Sequence, residues 1–372
     1  MGFSTYAEIN LDNLGYNTVC IREKVAPAAL IPVVKADAYG HGAVPVVKRL
    51  ASEGCAMFAV ARLEEALELR ESGISQRILL LGRLFPPEIS QALKAGLTLS
   101  IFGHEDLLWV EKACESAGKP AVVHLKIDSG MGRVGVLISE AVDLFERLAR
   151  SGSCVWEGIY SHFSTSDEKD KSYASFQLLR FQKLLSRVPD HSGKARMMVH
   201  MAASGAILDV PGCYFNAVRP GILMYGHYPS KETSRCIQPK QVMSLKTYVA
   251  HVREMPAGHP VSYGRRWVTP CGTRIGVLPI GYADGLSRRL TNNGEVLIRG
   301  RRYPIVGTVT MDYIMVNIGD GPVAVGDEVL LWGESPEGVI EAIDVAERIG
   351  TIPYELTCAV SRRVPRVYVG NR

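Results

Sequence analysis

Eight short apolar runs recur every twenty to thirty residues between positions 29 and 225. They are Ala29–Val34, Ala56–Ala61, Ile78–Leu81, Leu97–Ile101, Val122–Ile127, Val155–Tyr160, Met197–Met201 and Tyr214–Val218. Helical patterns lie between them, such as Arg62–Ser72, closed by Gly73, and Glu168–Val188, closed by Pro189. Eight apolar strands alternating with helices over about 200–250 residues fit a (β/α)8 barrel of the TIM type, an α/β fold, with a doubly wound sheet as the alternative.

From about residue 237 the rhythm changes. Thr273–Ile280, Glu295–Ile298, Thr308–Ile318 and Glu328–Trp332 are short, β-branched and separated by glycine turns; only Ile340–Ile349 looks helical. This half reads as a mainly β domain, joined to the barrel through the polar stretch near Gly226–Ile237. The expected division is residues 1–230 for the barrel and 231–372 for the β domain. The strand-like start, through residue 9, could pair with either half.

With 47 % hydrophobic and 22 % charged residues the chain should bury a large core as a soluble protein. A net charge of +4, without a long basic run, gives no argument for nucleic acid or an anionic membrane as partner. Eight scattered cysteines form no CxxC pair and read as reduced thiols. The first residues show no secretory signal and no 18-residue apolar span occurs, so the expected compartment is the cytoplasm.

In a barrel, the strand C-terminal ends and the loops after them carry the site. The first strand ends at Lys35, in the run VVKADAYGHG, with Tyr39 close behind. An ammonium resists desolvation, so a lysine there is either solvated or kept for chemistry such as imine formation with an aldehyde, above all pyridoxal 5′-phosphate (PLP). Strand 5 leads into Asp128-Ser-Gly-Met-Gly-Arg133 and strand 6 into Ser161-His162-Phe163. Strand 7 places Ser204 at a helix start, and strand 8 ends in Arg219-Pro-Gly221-Ile222. Ser204 and Gly221-Ile222 suit a phosphate after strands 7 and 8, or equally a plain N-cap and a turn glycine.

Two other chemistries are excluded. Gly130, Gly132 and Gly135 match GxGxxG, but another apolar run follows where a helix should open, and no acid ends a second strand about 20 residues later. The nine histidines include no HExxH and none pairs with a cysteine at ligand spacing, so no metal is expected; His41 and His200 read as turn and core residues.

The motifs KADAYGHG at 35–42, GMGR at 130–133, SHF at 161–163, RPG at 219–221, SYG at 262–264, GYADG at 281–285 and MD at 311–312 resemble the alanine racemases, in order along the whole chain. The resemblance implies a fold-type III PLP enzyme: a barrel plus a C-terminal β domain, working as a homodimer with shared active sites on a small amino-acid substrate. Lys35 is then the imine-forming residue. Tyr39, Ser204, Gly221, Ile222 and Tyr354 resemble the phosphate holders. Arg219 resembles the arginine at the pyridine nitrogen, His162 packs near the ring and Arg133 lies by the phenolic oxygen. Lys126 matches a lysine that is carbamylated in many relatives. Tyr263, from the partner subunit, is the implied second base. Met311, Asp312 and Arg133 border the substrate, and Tyr282 lines the approach.

The implied activity is interconversion of L- and D-alanine by two bases on opposite faces of the α-carbon, supplying D-alanine for peptidoglycan. A serine-preferring or broad-specificity racemase is the alternative; a non-catalytic PLP-binding protein and a decarboxylase of the same fold are more distant ones. Bulky Tyr354 favours alanine, and an arginine rather than an acid at position 219 disfavours decarboxylation. Three positions depart from the family pattern. Ala203 stands where asparagine is common, Thr308 where an arginine is frequent, and Leu286 where an aromatic is usual. They bear on entrance electrostatics and rate.

Overall fold

The computed structural model describes residues 5–191 and 193–370. Eight parallel strands are Ala29–Leu30, Met57–Val60, Arg77–Leu80, Thr98–Ile101, Ala121–Asp128, Cys154–Tyr160, Met198–His200 and Ala217–Val218. They pair in sequence order, and the eighth pairs back onto the first. A parallel bridge from Val33 to Ala59 completes the ring. Each expected run overlaps one strand, because parallel strands packed on both faces keep few polar positions. The first strand is cut short at Pro32, which has no N–H for the ladder, and the eighth begins only after Phe215, at φ +49°.

The second sheet is built mainly from residues beyond 242, and it also holds the N-terminal strand. Thr5–Asn10 lies between Met243–Tyr248, antiparallel, and Arg366–Val369, parallel. Asn10 then caps the first helix, Leu11–Val25, its side chain accepting from the Asp12 and Asn13 amides. Two expectations need correction. Of the run Thr308–Ile318 only Ile314–Asn317 is strand, because Thr310 and Tyr313 bond each other in a turn. The β half also contains a second helix, Pro353–Ala359, where proline in the first turn suits a helix start. Among the described residues no helix is long and apolar enough to cross a membrane.

That second helix positions the site. It packs on Lys35–Gly40, where a Cβ at Gly40 would lie 2.3 Å from the Thr357 carbonyl oxygen. The C-terminal strand closes over the same turn: Arg366 Nε donates to Gly40 O and Tyr368 Oη to His41 O.

Candidate active site

Lys35 opens a turn of unusual hand. Ala36, Asp37, Ala38 and Tyr39 all have φ between +52° and +56°, a left-handed screw of four L-residues. Each such residue costs about 1–2 kcal/mol, so the turn must be held from outside. The Glu65 carboxylate accepts from the amides of Ala36, Ala61 and Arg62, tying the ends of the first two strands together. Asp37 accepts from the Ala43 amide, and buried His41 donates from Nδ1 to the carbonyls of Ala38 and Tyr39. Burial and nearby His227 push the His41 value down to about 3, so the imidazole is neutral. The Lys35 amine enters a cavity of about 390 Å³. Burial first, then the charge of Arg133, lowers its value from that of a free lysine.

The turn delivers Tyr39 to one end of this cavity, and Pro353–Ala359 delivers Tyr354, with ring centroids 5.9 Å apart. Burial holds both phenols well above their ordinary values, so they are neutral donors. Among the described residues neither hydroxyl has a hydrogen-bond partner. Ser204 begins the helix Ser204–Asp209, whose N-cap is Ala203, so it is not the capping residue itself. Its Oγ accepts from the amides of Gly221 and Leu223, joining the ends of strands 7 and 8. A Cβ on Gly221 would come within 2.6 Å of Tyr39 Oη and 3.9 Å of Ser204 Oγ. Any side chain at 221 would therefore fill the space on which the hydroxyls converge.

Arg219 forms the opposite pole. It is buried, and Nη1 donates to His200 Nδ1 (2.6 Å) and His200 O, while Nη2 donates to the carbonyls of Ser161 and Met201 and to His162 Nδ1 (3.1 Å). Only Nε–H lacks a partner among the described residues. Burial lowers the guanidinium to about 10, which leaves it charged at neutral pH.

An arginine can only donate, and this fixes the tautomers behind it. His200 Nδ1 must accept, so Nε2 carries the proton and donates to His124 Nδ1 at 2.9 Å. His124 in turn donates from Nε2 toward the Glu157 carboxylate at 3.4 Å, and Arg77 pairs with Glu157. Burial holds both imidazoles below their usual range, hence neutral. This chain through the barrel interior was not legible in the sequence. By sequence His200 reads as a core residue, and alternation on separate strands gives no sign of which histidines meet.

The loop after strand 5 carries Arg133. Asp128 accepts from the amides of Gly130, Met131 and Gly132, and Gly130, Gly132 and Gly135 all have positive φ. The glycines serve this turn, and the amides of Gly130, Met131 and Gly132 are taken up by Asp128 rather than open to a dinucleotide phosphate. Lys126, two residues before Asp128 on strand 5, is buried beside the Tyr160 ring. Burial, then Arg219 and Arg133, pushes its amine well below the lysine range.

Lys35, Tyr39, Lys126, Arg133, His162, Ser204, Arg219, Gly221, Ile222 and Tyr354 all line the one cavity. Four expected residues do not. Tyr263, Met311 and Tyr282 are exposed by 74, 51 and 44 %, and Asp312 accepts from Arg363 on the surface. The Tyr282 and Ala283 amides donate to the carbonyls of Thr310 and Met311, which places Tyr282 with Met311 and Asp312 on the β half.

The cavity thus offers neutral hydroxyl donors and a glycine cradle at one end, a desolvated amine beside it, and a buried cation at the other. An aldehyde carrying a phosphate and a basic ring nitrogen, as PLP does, fits that donor set. A reactive lysine at the end of the first strand of a (β/α)8 barrel, with a β domain appended, defines the fold-type III class of PLP-dependent enzymes. Family models described as "Alanine racemase, N-terminal domain" and "Alanine racemase, C-terminal domain" match residues 9–229 and 242–368. The chain is 43 % identical to Alanine racemase 2 of Caldanaerobacter subterraneus subsp. tengcongensis, covering 98 % of this chain and 95 % of that protein. It is also 43 % identical to the alanine racemase of Desulforamulus reducens, over 98 % and 99 %. The solved alanine racemase of Clostridium difficile 630 superposes with a TM-score of 0.93 at 38 % identity, covering 99 % of this chain and 96 % of that one. The chain belongs to the alanine racemase family, and it is a PLP-dependent isomerase.

Proposed function

We propose that this enzyme interconverts L- and D-alanine in the cytoplasm, supplying D-alanine for peptidoglycan, with Lys35 and Tyr263 as its two bases. The observation that carries this reading is Arg219, a buried guanidinium held by neutral acceptors, with no acid beside it among the described residues. Bound PLP supplies an electron-withdrawing ring that acidifies the substrate α-proton. Arg219 offers its free Nε–H to the ring nitrogen but does not readily release the proton. Arg219 would thus hold the ring nitrogen without giving it a full proton, a role that favours returning the proton to the α-carbon.

Residues 1–230, joined by Tyr354 of the 231–372 domain, hold the cofactor in this reading. Tyr39, Tyr354, Ser204 and the Gly221–Ile222 backbone bind the phosphate, His162 packs by the ring, and Arg133 neutralises the phenolic oxygen. Lys35 Nζ takes or returns a proton on one face of the substrate, helped by its lowered value. Tyr263 Oη serves the other face. It lies on the 231–372 domain outside its own chain's cavity, so a second copy must supply it, together with Met311 and Asp312 at the substrate carboxylate and Tyr282 at the approach. The enzyme is in this reading a homodimer with composite sites.

Tyr354 and Tyr39 crowd the cavity and favour a methyl side chain. L-alanine should give more D-product per unit time than L-serine or any larger L-amino acid assayed with added PLP. A serine rate above the alanine rate would make this a serine racemase instead.

Lys126 acts in this reading as a carbamate. Carbon dioxide adds to a neutral amine, forming an N–C bond and releasing a proton, and the depressed value keeps the amine neutral. The anion formed would stand between Arg133 and Arg219. Depleting carbon dioxide should lower kcat by about tenfold, the scale of one charge-assisted hydrogen bond, and bicarbonate should restore it. Unchanged kcat together with no ¹³CO₂-derived carbamate signal would show a plain amine.

A further inference from the structure

Tyr263 sits on a turn that L-residues avoid. Ser262 has φ +63° and ψ −176°, Gly264 has φ +70° and Arg265 has φ +49°. The Ser262 pair of angles belongs to a region that is essentially glycine's, and a residue stays there only where its surroundings over-determine it. Here one residue does most of that. Ser262 Oγ donates to the Thr308 carbonyl at 2.7 Å, and Thr308 Oγ1 donates to the Tyr263 carbonyl at 2.7 Å. The two bonds run in opposite senses between the same segments, one on each side of the Tyr263 peptide.

The segment holding Thr308 is itself fixed. Thr308 is 2 % exposed, the Gly307 amide donates to Asn292 Oδ1, and the Val309 amide donates to Thr291 Oγ1. Gly307, at φ +75°, lets the segments touch: a Cβ there would stand 2.9 Å from Val261 O and 3.0 Å from Ser262 Cβ. The Tyr263 side chain, by contrast, is 74 % exposed and makes no hydrogen bond within its own chain among the described residues. The direction in which its phenol projects is therefore set by its backbone, and the backbone is set by this reciprocal pair.

We propose that Thr308, acting with Ser262, is a positioning residue that aims Tyr263 toward a site on another copy of the chain. The inference rests on the reading of Tyr263 as the second base. It also gives Thr308, one of the departures from the family pattern, a role that a long cationic side chain at this place could not fill in the same way.

The test compares the holoenzyme with T308V, T308S, Y263F and the double variant Y263F/T308V, assayed in both directions with alanine. Valine keeps the shape but leaves the Tyr263 carbonyl without its donor, whereas serine keeps the hydroxyl. T308V should lower kcat about tenfold to a hundredfold with KM within about twofold, the signature of misplaced chemistry rather than lost binding. T308S should recover most of that loss. In the Y263F background T308V should cost nothing further, because the group it aims is gone. Amide hydrogen exchange at 262–266 should rise in T308V while exchange in the barrel strands stays at its wild-type level. Wild-type kcat in T308V, with Y263F inactive, overturns the positioning role and leaves the base reading standing. Full activity in Y263F overturns the base reading and the inference with it. An additive loss in the double variant shows Thr308 acting through something other than Tyr263, which also overturns the proposal.

Discussion

Replacing Lys35 with alanine should leave a folded chain that no longer fixes PLP covalently and whose kcat is lower by at least about a thousandfold. A positioned general acid–base contributes about 10²–10⁴ in rate, and Lys35 is proposed to serve both as anchor and as base. The structure explains why no other amine should substitute. Lys126 lines the same cavity, but its amine lies over the ring of Tyr160 on a regular strand, where the charges of Arg219 and Arg133 bear on it. Lys35 alone combines a lowered value with a place on the turn that also delivers Tyr39. Borohydride reduction followed by intact-mass measurement checks the first half: the wild type should gain the reduced cofactor and the variant should not. Retained labelling or a near-normal rate in the alanine variant would displace Lys35 from both roles.

The second large effect is expected at Tyr263. Phenylalanine there removes only an oxygen from a side chain that is mostly solvent-exposed, so folding and cofactor content should be unchanged. The rate should nevertheless fall by about 10²–10⁴. Because the two bases are proposed to come from different copies, the two inactive variants should complement each other. A hybrid of a Lys35→Ala chain and a Tyr263→Phe chain has one site with both bases and one with neither. Random subunit exchange in a two-fold dimer should therefore return about a quarter of wild-type activity. A mixture that exchanges subunits, shown by mass, yet stays inactive would place both bases in a single chain.

Long-range order was legible where residue type and spacing carry it. Parallel strands covered on both faces leave uninterrupted apolar runs, and all eight could be found within a few residues. The helix Pro353–Ala359 was missed because seven residues are too few to show a period. The screw of Ala36–Tyr39 was missed for another reason. No glycine marks those four positions, and their conformation is imposed by Glu65, Asp37, His41 and Arg366, whose partners lie up to 326 residues away. Most cavity residues could be listed from strand ends, since barrel topology gathers those ends on one face; Lys126 and Tyr354 come only from the family resemblance. What those residues do to one another could not. The tautomers of His200 and His124 follow from contacts between separate strands, and the Ser262–Thr308 pair joins segments 46 residues apart.

The turn that carries Lys35 also bears on handedness in the chain itself. Ala36 and Ala38 hold backbone angles that are strained for an L-residue and relaxed for its mirror image. A D-alanine built into either place would remove about 1–2 kcal/mol of that strain. Ribosomal synthesis offers no such residue, so the fold supplies the restraint through neighbouring carboxylates and an imidazole. The amine proposed to make D-alanine is thus mounted on a stretch of backbone for which D-alanine would be the natural building block.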